Sequence, residues 1–278
     1  MSEPCALIGI LDDGWSGLSA GALARLVAAD LVIGAQRTLD LIAGGLKSDP
    51  QKMQAMDGQL GRVPEWIRAA REAGRSVAVL ATGDPLCHGI AGFLIGKLGA
   101  DVIEVLPAVS TLQLAFARLK KTWQTAKIVS VHSRDAGEWN VGATPEHGLY
   151  GLVRAAAEHP LIGVFTSPEN SPERIARALI SAGHGDDFRL SVAARLGLPD
   201  ERVCAELTVA EAASQSFPDP NIVVLERIAP PDSRAIFGFD DADFVQRTPE
   251  KGLITKQEAR ALSLAKLCLR PDSRVWDI

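Results

Sequence analysis

Two turns in the first half of the chain carry the residues best suited to bind a ligand. One apolar stretch ends in Gly83-Asp84-Pro85, the GDP turn, and a second ends in residues 107–111 (PAVST), the PAVST turn. A glycine lets backbone come close to a ligand because it has no Cβ, and a carboxylate accepts hydrogen bonds from ribose hydroxyls or an ammonium group. Ser110 and Thr111 add two hydroxyls. These groups favour a neutral or zwitterionic ligand rich in hydroxyls, which describes a nucleoside better than a nucleotide.

The sequence lacks the motifs of the common phosphate, metal and nucleophile sites. It contains no GxGxxG, no GxxxxGK followed by Ser or Thr, and no GxSxG, which argues against a pyrophosphate or triphosphate cradle and against a hydrolase elbow. The four cysteines form no CxxC pair, and the histidines show no metal-ligand spacing with cysteines or carboxylates. We therefore predict reduced thiols and no bound metal.

Composition narrows the class of protein. The 278 residues carry a net charge of −5, so the whole molecule gives a nucleic-acid partner no electrostatic support. Apolar residues make up 47% and aromatic residues 5%, which predicts a globular core of Ala, Leu, Val and Ile. The start of the sequence shows no basic segment followed by a long apolar one, and no run of 18 apolar residues occurs. We expect a cytoplasmic protein without a membrane partner.

The two turns follow strands in an alternating β–α pattern. Short apolar runs bounded by turn residues alternate with segments of helical spacing. Alternation of this kind, with continuously apolar strands, predicts a largely parallel sheet covered on both faces. The predicted strands cover residues 6–11, 31–34, 76–81 and 102–106, and the predicted helices cover 19–30, 64–73, 89–98 and 111–119.

The pattern begins again after about residue 120, with a more hairpin-like ending. We predict one α/β domain over residues 1–120, a second over 121–228, and a linker with a tail over 229–278. In the tail, Thr255 and Glu258 could form a capping box at the start of a helix over 256–269. The predicted strands of the second domain cover 127–131, 161–165, 190–195 and 221–226, and its predicted helices cover 149–158, 172–182 and 208–214.

With these turns in this order, the sequence resembles the tetrapyrrole (corrin/porphyrin) methylases. The resemblance covers about residues 6–227 and is carried by GILDDGWSGLS, ATGDPL and PAVST, with IGAQRTL, SVHSRD, FTSPENSP, LSVAARLG and PNIVVLE in support. Within the family it is closest to corrin-ring methylases of cobalamin biosynthesis. These are the amino-terminal half of the precorrin-6Y methyltransferases (decarboxylating) and the stand-alone cobalt-precorrin-7 methyltransferases.

The resemblance implies two unlike α/β domains with the active site in the cleft between them. It implies S-adenosylmethionine as the methyl donor, S-adenosylhomocysteine as the product, a precorrin as the substrate and a homodimer as the assembly. Residues 252–278 resemble the entry to the carboxyl-terminal methylase of the fused enzymes. That likeness implies the truncated start of a third, Rossmann-like methylase domain, whose missing remainder would be a partner of this chain.

The resemblance also implies roles for individual residues. Arg37 and Arg134 are expected to bind acetate and propionate groups of the precorrin, because arginine pairs with carboxylates bidentately. His132 is the candidate catalytic residue, either orienting the ring or handling a proton. The expected contacts of the methyl donor are Ile10, Gly83, Asp84, Cys87, Ser110, Thr111, Phe165 and Ala194.

The implied reaction is methyl transfer to carbon 5 of the precorrin, and it needs alignment more than a strong base. Two alternatives stay open. One is another methylase of this fold, acting on a different ring carbon, on diphthine or on ribosomal RNA. The other is a non-catalytic module that holds an intermediate, with its pocket narrowed by Leu11, where the family usually has glycine. Asp84, Ser110 and Thr111 could also serve as helix caps.

Overall fold

In the computed structural model, residues 3–46, 52–133, 135–229, 238–241, 244, 255–269 and 273–276 are described. Their strands form two five-stranded sheets. The described residues up to Ala229 form one compact unit, and the described residues after it form a second, smaller unit.

The first sheet is parallel throughout. Its strands are β1 (Cys5–Ile10), β2 (Leu31–Gly34), β3 (Met53–Ala55), β4 (Val77–Thr82) and β5 (Ile103–Leu106). They lie in the order β3-β2-β4-β1-β5, with β1 between β4 and β5. The helices that follow these strands are α1 (Ala20–Ala28), α2 (Gln36–Ala43), α3 (Val63–Glu72), α4 (Ala91–Leu98) and α5 (Thr111–Leu119).

Both faces of the first sheet are covered, as the continuous apolar strands predict. Successive side chains of a strand point to opposite faces, so Leu7 of β1 belongs to one buried cluster and Ile8 to the other. The helices α3 and α4 complete the cluster around Leu7. The helices α1 and α2 complete the cluster around Ile8.

The second sheet is mixed. Its strands are β6 (Lys127–Ser130), β7 (Leu161–Phe165), β8 (Phe188–Ala194), β9 (Arg202–Thr208) and β10 (Asn221–Arg227). They lie in the order β6-β7-β10-β8-β9, and β6 and β7 are parallel. Since β10 is antiparallel to both of its neighbours, β6, β7 and β8 end at the edge where β10 begins. The accompanying helices are α6 (Tyr150–Glu158), α7 (Pro172–Ser181) and α8 (Val209–Ala213). The predicted α/β fold with two unlike sheets is confirmed.

The helix α5 joins the two sheets. It follows the last strand of the first sheet, yet Leu112 and Phe116 pack on the second sheet. They lie against Gly163, where an added Cβ would come within 2.7 Å of the Leu112 side chain. Near the end of α5, Arg118 Nε lies 2.5 Å from Glu201 Oε1. The predicted domain boundary near residue 120 stays a prediction, and the helix just before it already packs on the second sheet.

The second unit contains a helix, α9 (Gln257–Lys266). Its N-cap is Lys256, without a side-chain cap, so the predicted capping box of Thr255 and Glu258 is wrong. Arg260 Nη1 instead donates to Asp241 Oδ1 at 2.5 Å. Residues 273–276 have no regular secondary structure, and residues 270–272, 277 and 278 lie outside the described residues. Among the helices described, none combines the length and the apolar character needed to cross a membrane.

Candidate active site

The first sheet has a topological switch point between β4 and β1. From β1 the chain crosses through α1 to β2 on one side, and from β4 it crosses through α4 to β5 on the other side. The two helices cover opposite faces of the sheet. Because the crossovers leave in opposite directions, a crevice opens beyond the carboxyl ends of β1 and β4, which is where open α/β sheets bind ligands.

Three backbone segments converge at this crevice. A Cβ placed on Gly9 would lie 2.2 Å from Gly83 O and 2.4 Å from Ala108 N, so the GDP and PAVST turns both press against the end of β1. The Gly83 amide donates to Ile10 O at 2.9 Å. Gly83 has a φ of +69°, in the left-handed region that glycine adopts without strain. The glycines at positions 9 and 83 are therefore required by close packing and by backbone conformation.

A cleft of about 740 Å³ lies between the carboxyl ends of the first sheet and the matching edge of the second. Pockets of 300–1,000 Å³ are typical of small-molecule sites. The rings of His88, after β4, and Phe165, at the end of β7, lie 5.6 Å apart by their centroids. The cleft is therefore bounded by both sheets.

Five of the predicted site residues line this cleft. Arg37 lies at the start of α2, Cys87 follows the GDP turn, and Thr111 is the first residue of α5. From the second sheet, His132 follows β6 and Phe165 ends β7. His132 is exposed. The structure thus brings together one predicted cation, one predicted imidazole and three of the predicted donor contacts.

The other predicted residues do not line the cleft with their side chains, although most lie next to residues that do. Ile10 and Ala194 are each 1% exposed and lie in strands. Ala194 stands between Ala193 and Arg195, which both line the cleft. The remaining residues of this group are Gly83, Asp84 and Ser110. Arg134 lies outside the described residues.

Asp84 and Ser110 are both engaged by their own turns. Asp84 Oδ1 accepts the Leu86 amide at 2.9 Å, which closes the GDP turn. Ser110 is the N-cap of α5, where its hydroxyl accepts the Gln113 amide at 3.1 Å and its own amide donates to Gln113 Oε1 at 2.8 Å. The helix-capping role that the sequence left open is therefore present for Ser110. Asp84 closes a turn instead, because the N-cap of α4 is Ile90. Thr111, one residue further on, faces the cleft.

The Cys87 thiol remains protonated near neutral pH. Burial raises the pKa of this thiol, and the negative charge of Asp84 raises it further. A thiolate is the nucleophilic form of cysteine, so this environment disfavours nucleophilic chemistry at Cys87. It agrees with a contact made through the main chain or through a neutral thiol.

Sequence reasoning missed three charged residues of the cleft, Asp12, Arg195 and Asp219. Asp12 Oδ1 accepts a hydrogen bond from Arg37 Nη2 at 2.5 Å, and the Asp12 side chain is 9% exposed. The position of Asp12 directly after the first predicted strand could have indicated that it lies at the cleft. Arg195 directly follows β8 and has a φ of +53°. A strand-end arginine before Leu196 and Gly197 offered a weaker signal.

A buried polar pair forms one wall of the cleft. The Thr166 hydroxyl lies 2.6 Å from Asn221 O and 2.7 Å from Asn221 Oδ1, and the Asn221 amide group donates to Asp219 Oδ1 at 3.0 Å. This network joins the end of β7 to the start of β10. Sequence reasoning quoted both segments for their resemblance and assigned no role to either residue.

Leu11, which would narrow the pocket in one of the open alternatives, is not among the residues that line the cleft. Among the described residues, no group of three or more His, Cys, Asp or Glu could hold a metal ion. The prediction of a metal-free site stays a prediction.

Comparisons with known proteins agree with the geometry. Precorrin-6Y C(5,15)-methyltransferase (decarboxylating) of Sinorhizobium sp is 33% identical over 277 residues, which is 98% of this chain and 61% of the relative. The probable cobalt-precorrin-7 C(5)-methyltransferase of Methanocaldococcus jannaschii is 28% identical over 200 residues, which is 71% of this chain and 86% of the relative. The chain thus spans about three fifths of the length of the C(5,15) relatives.

A solved structure shares the fold. Uroporphyrin-III C-methyltransferase from Thermus thermophilus, complexed with S-adenosylhomocysteine, superposes with a TM-score of 0.57 at 22% identity. The match covers 81% of this chain and 92% of that one. The family model of the tetrapyrrole (corrin/porphyrin) methylases matches residues 4–213. The chain therefore belongs to the tetrapyrrole methylases, as its turns predict, and so to a family of S-adenosylmethionine-dependent methyltransferases.

Proposed function

We propose that this chain methylates carbon 5 of a precorrin of the precorrin-6Y or precorrin-7 type in cobalamin biosynthesis, with S-adenosylmethionine as the methyl donor. The observation that carries the proposal is the convergence of β1 with the GDP and PAVST turns beside the cleft. This convergence offers backbone groups and hydroxyls, and no motif for a phosphate cradle accompanies it.

The choice of carbon 5 rests on the two relatives together. A C(5,15) relative matches 98% of this chain with 61% of its own length, and a C(5) relative is matched over 86% of its length. Carbon 5 is the methylation position common to the names of both relatives, so we assign it to the part that they share with this chain. Carbon 15 and decarboxylation go with the part of the longer relative that this chain does not match.

The residues around the convergence fit a nucleoside sulfonium. Gly83 brings the main chain to the edge of the site without a side chain. The Thr111 hydroxyl, the Cys87 main chain and the Phe165 ring lie along the cleft and would hold the donor. Asp84, with one oxygen engaged by its own turn, has a second oxygen that could accept from a ribose hydroxyl.

When bound, S-adenosylmethionine supplies a methyl group on a positively charged sulfur. The protein must hold the acceptor carbon in line with that methyl group and keep water away. Such positioning can contribute about 7–11 kcal/mol of barrier reduction. Arg37 would bind substrate carboxylates, and a ring nitrogen of His132 would accept a proton from the substrate. Arg134 keeps its proposed role in carboxylate binding, and the homodimer and the cytoplasmic location remain predictions.

Isothermal titration with S-adenosylhomocysteine tests the donor site. We expect binding by the wild-type chain and a loss of about tenfold or more in Asp84→Ala, because a hydrogen bond to a charged group contributes about 1.5–3 kcal/mol. Asp101→Ala is the control, because Asp101 is an exposed carboxylate at the amino end of β5. Unchanged affinity in Asp84→Ala would remove Asp84 from the site.

Transfer of a carbon-13 methyl group to a precorrin, followed by nuclear magnetic resonance, tests the reaction. We expect the label on carbon 5. Label on another ring carbon would refute the proposed position. An absence of heat with S-adenosylhomocysteine, together with an absence of transfer, would favour the non-catalytic module instead.

A further inference from the structure

Charged side chains from both sheets meet in the cleft. Arg37 comes from the first sheet and is half exposed, while its partner Asp12 is 9% exposed. The Arg37–Asp12 bond engages one of the five donors of the guanidinium. A nearly buried carboxylate that faces a ligand cleft holds a guanidinium at the place where an anionic ligand would need it.

Arg195 approaches from the second sheet and is firmly held. Its amide donates to Pro220 O at 2.8 Å, its Nη1 donates to Asp219 O at 3.2 Å, and its Nε lies 2.5 Å from Asp200 Oδ2. Its φ of +53° is rare for a residue with a Cβ, and such conformations cluster at ligand sites. The backbone thus holds this arginine at the edge of the cleft.

Asp12 lies close to the loop that carries Arg195. A Cβ on Gly197 would come within 3.8 Å of the Asp12 Cβ, so the loop after β8 packs beside the aspartate. The ion pair with Asp200 raises the pKa of Arg195, and the charge of Asp12 raises it further. One carboxylate from the first sheet therefore acts on guanidinium groups from both sheets.

We propose that Arg37 and Arg195 together bind one carboxylate side chain of the tetrapyrrole, and that Asp12 is the carboxylate which the substrate displaces from Arg37. This proposal rests on the proposed function, because it takes a polycarboxylate tetrapyrrole as the ligand. The half-exposed guanidinium of Arg37 already has a carboxylate partner in Asp12. Asp12 compensates Arg37 while the substrate is absent, and exchange of one carboxylate for another keeps the charge balanced.

The exchange makes the cleft selective for anionic substrates. An arginine pairs with a carboxylate through two parallel hydrogen bonds. A neutral ester of the same side chain cannot displace Asp12 in this way. The ion pair of Asp12 and Arg37 would then remain intact, and Arg37 would not bind the ester. Arg195 and Asp12 would therefore determine the selectivity for anionic over neutral substrates.

The test compares a corrin heptacarboxylate, cobyrinic acid, with its heptamethyl ester, by absorbance titration at saturating S-adenosylhomocysteine. In Arg195→Gln we expect the Kd of the acid to rise about 10- to 100-fold, the range for a lost charge-assisted hydrogen bond, and the Kd of the ester to stay constant. In Asp12→Asn we expect the Kd of the acid to fall about three- to tenfold, because a competing charge is removed. The control is Arg154→Gln, which breaks an exposed ion pair with Glu158 on α6.

A second variant separates loss of the guanidinium from loss of the fold. Arg195→Gly keeps the left-handed backbone without strain, and it should raise the Kd of the acid as Arg195→Gln does. An unchanged ratio of acid to ester affinity in both Arg195 variants would overturn the proposal. Weaker acid binding in Asp12→Asn would also overturn it, because Asp12 would then position Arg37 rather than compete with the substrate. Failure of the wild-type chain to bind S-adenosylhomocysteine would instead refute the proposed function.

Discussion

Replacement of Gly9 by alanine tests whether the three converging backbones form the donor site. The added Cβ would meet Gly83 O at 2.2 Å and Ala108 N at 2.4 Å, and the first contact must open by about 0.8 Å to reach 3.0 Å, the shortest approach that real Cβ atoms show. Both partners are main-chain atoms, so no side chain can turn away. Gly83 is also tied to β1 by its hydrogen bond to Ile10.

Overpacking of a well-packed site costs about 1–3 kcal/mol, occasionally more. Because the obstacle is backbone on two sides of Gly9, we expect a loss near the upper end of that range, about 3 kcal/mol of unfolding free energy. For a unit of this size, such a loss lowers Tm by about 6–12 °C. The GDP and PAVST turns should be displaced together, so the affinity for S-adenosylhomocysteine should fall at least tenfold at temperatures where the variant is folded.

Gly21→Ala is the matched control. Gly21 lies in α1, and a Cβ there would meet nothing within 4 Å. The same substitution should therefore raise stability by about 0.4–1 kcal/mol and leave donor affinity unchanged. Urea denaturation followed by circular dichroism measures the stability. Isothermal titration with S-adenosylhomocysteine measures the affinity. Wild-type stability and wild-type affinity in Gly9→Ala would refute the inferred packing and, with it, the location of the donor site.

Three further predictions concern the core, a thiol and the pH dependence. Phe116→Ala should lose about 3–5 kcal/mol in urea denaturation, since Phe116 is 1% exposed and truncation leaves a cavity; a loss below 1 kcal/mol would contradict the packing of α5. Iodoacetamide at pH 8 should alkylate Cys87 more slowly than the exposed Cys268, because burial raises the Cys87 pKa; mass spectrometry of both peptides gives the order, and the reverse order would contradict it. The hydrogen bond from His184 lowers the pKa of Asp187 below its ordinary 3.8 in the folded state, so this contribution to stability is present above 3.8 and lost as the pH falls through the lower value. Asp187→Asn should therefore flatten the fall in stability below about pH 4, and an unaltered acid profile would contradict the assignment.

Most of the strands and helices that sequence reasoning found have an apolar run or an apolar helical face. Of the three elements that it missed, two are edge strands and the third is a helix without a capping side chain. β3 (Met53–Ala55) has three residues and lies at a sheet edge. β9 (Arg202–Thr208) is an edge strand that is mostly exposed, so it lacks an apolar run. α2 (Gln36–Ala43) has Ala35 as its N-cap, and an alanine side chain cannot cap a helix. Tertiary pairing rather than local preference places these three elements.

The candidate site divides in the same way. The GDP and PAVST turns could be predicted because glycine, proline and capping residues mark the ends of strands in the sequence itself. The pairing of Asp12 with Arg37, and the closeness of Asp12 to the loop of Arg195, could not be predicted. Those contacts join segments that are far apart in the chain, and they depend on how two sheets face each other. No local sequence pattern indicates which distant segments come into contact.

The placement of α5 explains how a site without a strong base can still align a reaction. Its first residue, Thr111, faces the cleft beside the PAVST turn, and its body packs on the second sheet through Leu112 and Phe116. This helix therefore fixes the distance between the PAVST turn and the opposite wall of the cleft. Near its end, Arg118 forms an ion pair with Glu201, which lies between β8 and β9. A spacing set by packed side chains resists change far more than one set by a loop. Methyl transfer depends chiefly on the alignment of donor and acceptor, and this rigid connection keeps the two walls of the cleft at a fixed distance.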